Sequence, residues 1–295
     1  MIAGRRSALA AVMCALAGLG AEKAPLVNGL PAASADCARI AFVSNRAGGD
    51  QVFLIGSDGA HERQLTRSPG DKGDLAWSRD NREVLYSTFA DGTGHLWASD
   101  LAGKSERPIA SVPGRAPTAS PDGRRVLYMS GDWSHTRLMA ADRDGSHERQ
   151  ITDGSAIAWN GHWSPDGRHI AFTSRTDPKG DLAIYVVDAD GGGRRQLSRF
   201  PAGAGNVQWP IWSPDGRRLA VQVNARGGGA AQIWVLDAAT GEARQLTPPG
   251  GPYLDETPSW CGDGRRLAFQ SNRSGSTQVW MMNADGSDAR QITRR

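Results

Sequence analysis

The sequence predicts an all-β protein, a six-bladed β-propeller made of four-stranded antiparallel blades. Three observations predict it. A turn recurs, as "WSRDNR" at 77–82, "ASPDGR" at 119–124, "WSPDGR" at 163–168 and 212–217, and "WCGDGR" at 260–265. Its second letter falls at 78, 120, 164, 213 and 261, which gives intervals of 42, 44, 49 and 48 residues. A degenerate copy, Ser34-Ala35-Asp36-Cys37, stands 44 residues before Ser78 and raises the number of units to six. Four short runs within such a period are the mark of a propeller blade.

Each element of the unit has a local cause. Ser-Pro-Asp-Gly suits a type I turn, with proline presetting φ at the second position and glycine at the fourth. The aspartates, such as Asp166 and Asp215, are expected to cap their own turns. An apolar run follows the turn: "EVLYS", "RVLYMS", "HIAFTS", "RLAVQV" or "RLAFQS". Its near-continuous apolar character fits a strand covered on both faces. A polar, glycine-bearing loop leads to a third run, such as "HLWASD", "AIYVVD" or "QIWVLD", and the unit closes on "ERQIT", "RRQLS" or "ARQIT". The expected blades are approximately 26–66, 73–109, 114–152, 158–198, 207–247 and 255–293, within a propeller domain spanning 21–295.

The repeat also explains "HERQLT" at 61–66 and "HERQIT" at 147–152. His61 next to Glu62 resembles half of a zinc-protease motif, but no second histidine follows four residues on. The positions equivalent to Glu62 in other copies are Arg194 and Ala289, neither of them a metal ligand. These segments are closing strands, and no metal or other cofactor is expected.

The first twenty residues read differently. Arg5 and Arg6 precede fourteen uncharged residues, "SALAAVMCALAGLG", and Glu22 and Lys23 end the run. This is the pattern of a secretory signal peptide over 1–20, too short to span a bilayer comfortably. Its removal takes away two arginines and no acid, so the net charge falls from +3 to +1. That balance excludes a nucleic-acid binder, which needs a concentrated basic face. The expected locale is periplasmic or secreted, with no membrane span and a monomeric state. Two cysteines remain, Cys37 and Cys261, in turns of the first and last blades. A bridge between them would close the ring where no strand is left over to cross from blade 6 to blade 1. Two free thiols are the alternative.

Candidate site residues are those that leave the repeat pattern on the loop-rich face, where binding groups can vary on a rigid frame. Trp77, Trp163, Trp212 and Trp260 occupy a repeat position and are expected to pack. Trp133, Trp159, Trp209 and Tyr253 do not, and aromatic residues at a mouth anchor protein partners or sugar rings. The same residues could instead plug the channel. His162 in "NGHW" and Asp255-Glu256 in "YLDETP" are the polar candidates. Convergence of the histidine with the two acids would indicate acid–base chemistry, and separation would indicate binding. No Gly-x-Ser-x-Gly elbow or phosphate-binding glycine loop is present, so no catalytic residue is assigned.

The "WSPDGR" turns, the run "LAFQSNRSG" and the segment "QVWMMNADGSDARQIT" resemble the repeats of the TolB-type six-bladed propeller family, over roughly residues 30–295. The resemblance implies an exported, non-catalytic scaffold that engages a protein or another cell-envelope component. TolB carries an α/β domain ahead of its propeller, and here only the signal-like segment precedes the repeats. The same repeat is similar to the propellers of oligogalacturonide lyases. A carbohydrate lyase or hydrolase working in the mouth of the channel is therefore the alternative function.

Overall fold

A computed structural model describes residues 25–89, 93–132, 134–177, 179–200, 205–248 and 251–294. The expected signal segment, 1–20, lies outside the described residues. Six antiparallel four-stranded sheets follow one another along the chain, each paired in simple sequential order from inner to outer strand. The inner strands are Asn28–Ala33, Asp71–Trp77, Arg115–Ala119, Trp159–Trp163, Asn206–Trp212 and Asp255–Trp260. The second strands, such as Ile40 to Val43 and Ile170 to Thr173, are buried along their length because neighbouring blades cover both faces. The outer strands are only two or three residues long except in blade 2, where Glu106–Pro113 extends the edge.

The turns form as their chemistry dictates. In blade 4 the Gly167 amide donates to the Ser164 carbonyl at 2.9 Å, with φ of 72° at Gly167. Asp166 accepts from the Ser164 hydroxyl at 2.6 Å and from the Arg168 amide at 3.0 Å. These bonds hold its carboxyl below the usual carboxylate range. Asp215 accepts from the Arg217 amide in the same way. In the degenerate first turn, Cys37 stands where blades 3 to 6 have glycine and blade 2 has Asn81, and it takes a φ of 55°.

Two of the four repeat tryptophans, Trp77 and Trp260, tie adjacent blades together by hydrogen bonds. Trp77 Nε1 donates to the Ala32 carbonyl at 2.8 Å, and Trp260 Nε1 donates to the Ile211 carbonyl at 3.1 Å. Each bond crosses from one blade to the carbonyl of the blade before it.

Among the described residues the seam between blades 1 and 6 has no shared strand, yet it holds more than apolar packing. Ile40, Phe42, Phe53 and Ile55 pack with Ala268, Val279, Met281 and Ile292 in one core. The Asn28 amide donates to the Thr277 carbonyl at 3.0 Å, and Asn28 Nδ2 donates to Gln278 Oε1 at 2.8 Å. Cys37 and Cys261 are joined in a disulfide with their Cα atoms 4.9 Å apart. The turns are pressed so close that a Cβ on Gly262 would lie 1.9 Å from the Ala35 carbonyl oxygen. Only glycine fits there, at a position held by Pro121, Pro165 and Pro214 in other blades.

Asp50 ends the loop before the third strand of blade 1. It is 5% exposed, and its amide donates to Asp71 Oδ1 at 3.1 Å. Burial, reinforced by the Asp71 carboxylate, pushes its carboxyl up to about 6.

Two predictions follow from this packing. The disulfide closes a loop 224 residues long, for which the chain-entropy model gives a contribution on the order of 5 kcal/mol. Urea denaturation of Cys37→Ser, or of the wild type under a reductant, should show a loss of several kcal/mol; an unchanged midpoint would remove the clasp from the stability of the ring. For Asp50, the folded-state pKa lies above the unfolded one. Its contribution is therefore complete below about 4 and is lost as pH rises through about 6. Asp50→Asn should flatten that decline, so that the variant gains on the wild type between pH 4 and pH 7 in thermal melts.

Candidate binding channel

Every inner strand carries one bulge. Leu30, Asp74, Ala116, Asn160, Trp209 and Thr257 all sit in the left-handed region, with φ between 49° and 56°. The pairing register with the second strand shifts at each of these places. A bulge re-aims side chains and frees a backbone group that needs a partner. In four blades the partner is a side chain from the second strand of the preceding blade. The Leu30 amide donates to Gln270 Oε1 at 2.8 Å and the Thr257 amide to Gln222 Oε1 at 3.1 Å. The Ala116 amide donates to Ser87 Oγ, and the Asn160 amide reaches Met129 Sδ, both at 3.0 Å.

Glu256 organises part of this ring. It accepts from Gln270 Nε2 at 2.8 Å and from Gln222 Nε2 at 3.2 Å. That leaves both glutamine carbonyl oxygens turned to the bulge amides of blades 1 and 6. Burial, with the neighbouring Asp255 adding to it, raises the carboxyl of Glu256 while the two amides oppose the shift.

Between the bulges and the hairpin turns lies a central cavity of about 530 Å³ to which all six blades contribute. Its wall on blades 1 to 3 includes Leu30, Pro31, Ala32, Ala76, Ala116 and Pro117. Asp74, Asn160, His162 and Trp209 add polar and aromatic groups, with the repeat tryptophans toward the turns. Asp74 is raised by burial, against the Ser87 hydroxyl, the Arg115 charge and the Ala116 amide, all of which favour its carboxylate. Burial pushes His162 down to about 4, so its ring is neutral at physiological pH. Its Nδ1 lies 3.1 Å from the Trp163 carbonyl, which can only accept. Nδ1 therefore carries the proton, and Nε2 is the acceptor.

The sequence candidates are distributed over the molecule. Trp209 and His162 meet in the cavity. Trp159 is half-buried, packs against the core shared by blades 3 and 4, and donates from Nε1 to Thr136 Oγ1 at 3.1 Å. Tyr253, in the loop before blade 6, is 43% exposed and is the one large hydrophobic side chain exposed among the described residues. Asp255 is buried, and both its oxygens accept from Arg273 Nη2 at 2.7 Å. The guanidinium in turn lies 5.4 Å over the Phe269 ring and 5.0 Å over that of Trp280. Trp133 lies outside the described residues. His162 stands in blade 4, Asp255 and Glu256 stand in blade 6, and each bonds to different groups. The cavity reaches the hairpin turns, whereas the sequence pointed to the loop-rich face.

Asp74 and Asn160 were missed, although a signal exists. The bulge residue always lies four positions before the turn anchor, and that column reads Leu, Asp, Ala, Asn, Trp, Thr. It varies more than any packing position would, because its side chain enters the channel.

Residues 74–208 and 130–295 match the family described as the TolB beta propeller domain. The Tol-Pal system protein TolB of Anaeromyxobacter dehalogenans is 33% identical over 121 residues, 39% of this chain and 24% of that protein. The chain spans 58% and 24% of the lengths of the first two curated relatives it matches. Among solved structures, TolB from Acinetobacter baumannii superposes with a TM-score of 0.73 at 22% identity, covering 87% of this chain and 63% of that one. An oligogalacturonate lyase in complex with manganese gives a TM-score of 0.60 at 19% identity, covering 91% of this chain and 78% of the lyase. Likenesses at these identities show the fold alone. The match to the family runs through most of the ring, and the chain belongs to the TolB beta propeller domain family.

Proposed function

We propose that the chain is an exported, non-catalytic binding scaffold that holds part of an envelope protein in the turn-side mouth of its channel. The observation that carries this reading is the cavity, where Asp74, Asn160, His162 and Trp209 stand among small apolar residues, the repeat tryptophans and a few further polar groups near the turns. Such a wall suits an extended polypeptide segment. The indole of Trp209 supplies apolar area, and His162 Nε2 accepts a hydrogen bond from a backbone or side-chain donor. The membership in the TolB beta propeller domain family and the likeness to proteins named for the Tol-Pal system support a partner at the cell envelope. The basic head and apolar run of residues 1–20 support export, and no helix among the described residues is long and apolar enough to cross a membrane.

The lyase or hydrolase reading needs a histidine and a carboxylate that act on the same bound group. His162 bonds the Trp163 carbonyl, Asp255 is engaged by Arg273, and Glu256 is held between two glutamines. Asp74 is the carboxylate that lines the cavity with His162, and it is bonded by the Ser87 hydroxyl and the Ala116 amide. With these acids committed to structural partners, binding is the better-supported use of the channel.

The test is capture of an envelope protein from membrane extract by the mature chain, with Trp209→Ala and His162→Ala as variants. Each substitution should reduce capture by roughly tenfold, equivalent to about 1.4 kcal/mol, while the thermal midpoint stays close to that of the wild type. Capture that survives both substitutions would move the binding site away from the channel.

A further inference from the structure

Outside the channel, the cysteine pair carries chemistry of its own. Cys37 and Cys261 are 224 residues apart, and no cysteine lies between them. The bond can therefore be completed only after Cys261, in the first turn of the last blade, has been made and has come near Cys37. Once the two turns have met, the sulfurs are enclosed, with Cys37 3% exposed and Cys261 0% exposed. Thiol–disulfide exchange needs a third sulfur in line with the one under attack. The closed seam leaves no room for one, since Gly262 already rests on the Ala35 carbonyl.

We infer that this chain is a substrate for a disulfide-donating oxidant of the thiol–disulfide exchange class, and that the donor acts while the seam between blades 1 and 6 is open. The thiolate of one cysteine attacks a sulfur of the donor's disulfide. That disulfide breaks, a mixed disulfide forms, and one donor thiolate leaves. The thiolate of the second cysteine then attacks the chain's own sulfur in the mixed disulfide and expels the other donor thiolate. The chain gives up two electrons and two protons, and the donor ends as a dithiol. In the order of events, oxidation follows synthesis of Cys261 and precedes final closure of the ring.

The experiment uses the mature chain, reduced and unfolded in urea, with oxidised glutathione as the donor. Glutathione disulfide is added either at the moment of dilution into refolding buffer or after refolding is complete. Free thiols are counted by alkylation and mass spectrometry, and ring closure is followed by the near-ultraviolet signal of the tryptophans. Oxidation should be at least tenfold slower in the late addition, at a rate that no longer rises with glutathione concentration because seam opening limits it. A reduced chain that regains the native signal only once oxidant is present would equally place oxidation before closure. A reduced chain that regains the signal and then oxidises as fast as the unfolded chain overturns the proposal.

Discussion

Closing the ring is the constraint on which the other features depend. Each blade buries both faces of its second strand against its neighbours, so an open ring would leave two such faces in water. Among the described residues every sheet is drawn from one contiguous stretch. The last and first blades must therefore be joined by side chains, a few backbone bonds and one covalent link. Asn28, Gln278 and the disulfide carry that task at two levels of the seam, with an apolar core between blades. Gly262 shows how close the contact is, because the smallest side chain would meet a backbone oxygen.

The bulges are the second recurrent device. A regular inner strand would turn a uniform row of small groups to the axis. The extra residue in each strand puts one variable side chain per blade into the channel, and the preceding blade satisfies the freed amide in four of the six blades. The donor-to-acceptor match passes from blade to blade, so the channel wall and the inter-blade contacts are made by the same residues. Glu256 belongs to this scaffold as much as to any site, because its charge orients two glutamines that cap bulges in two different blades.

This arrangement separates the roles of residues that look alike. Trp77 and Trp260 latch one blade to the next, whereas Trp209, at a bulge, is presented to the cavity. Asp166 caps a turn and Asp255 neutralises a stacked arginine, while Asp74 faces the channel from the left-handed position of its strand. The environment given by each element, rather than residue type, sets the chemistry available to it.

By itself the sequence determined the class, the number of blades and the course of the chain within each blade. Those properties rest on local causes that recur about every 45 residues: the preset φ of proline, the aspartate cap and continuous apolar runs. It also marked His162 and Trp209 as departures from the pattern. Tertiary structure alone decided which departures share a space. Trp159 and Trp209 both precede an inner-strand turn, yet a difference in position relative to the bulge sends one to the blade core and the other to the cavity. Asp255 and Glu256 read as a free acidic pair until Arg273, Gln222 and Gln270, from other strands and another blade, are seen to engage them. The bulge was not legible as a bulge because the left-handed conformation falls on Leu, Asp, Ala, Asn, Trp and Thr rather than on glycine. It is imposed by the packing of the strand around the axis and not by the local preference of the residue.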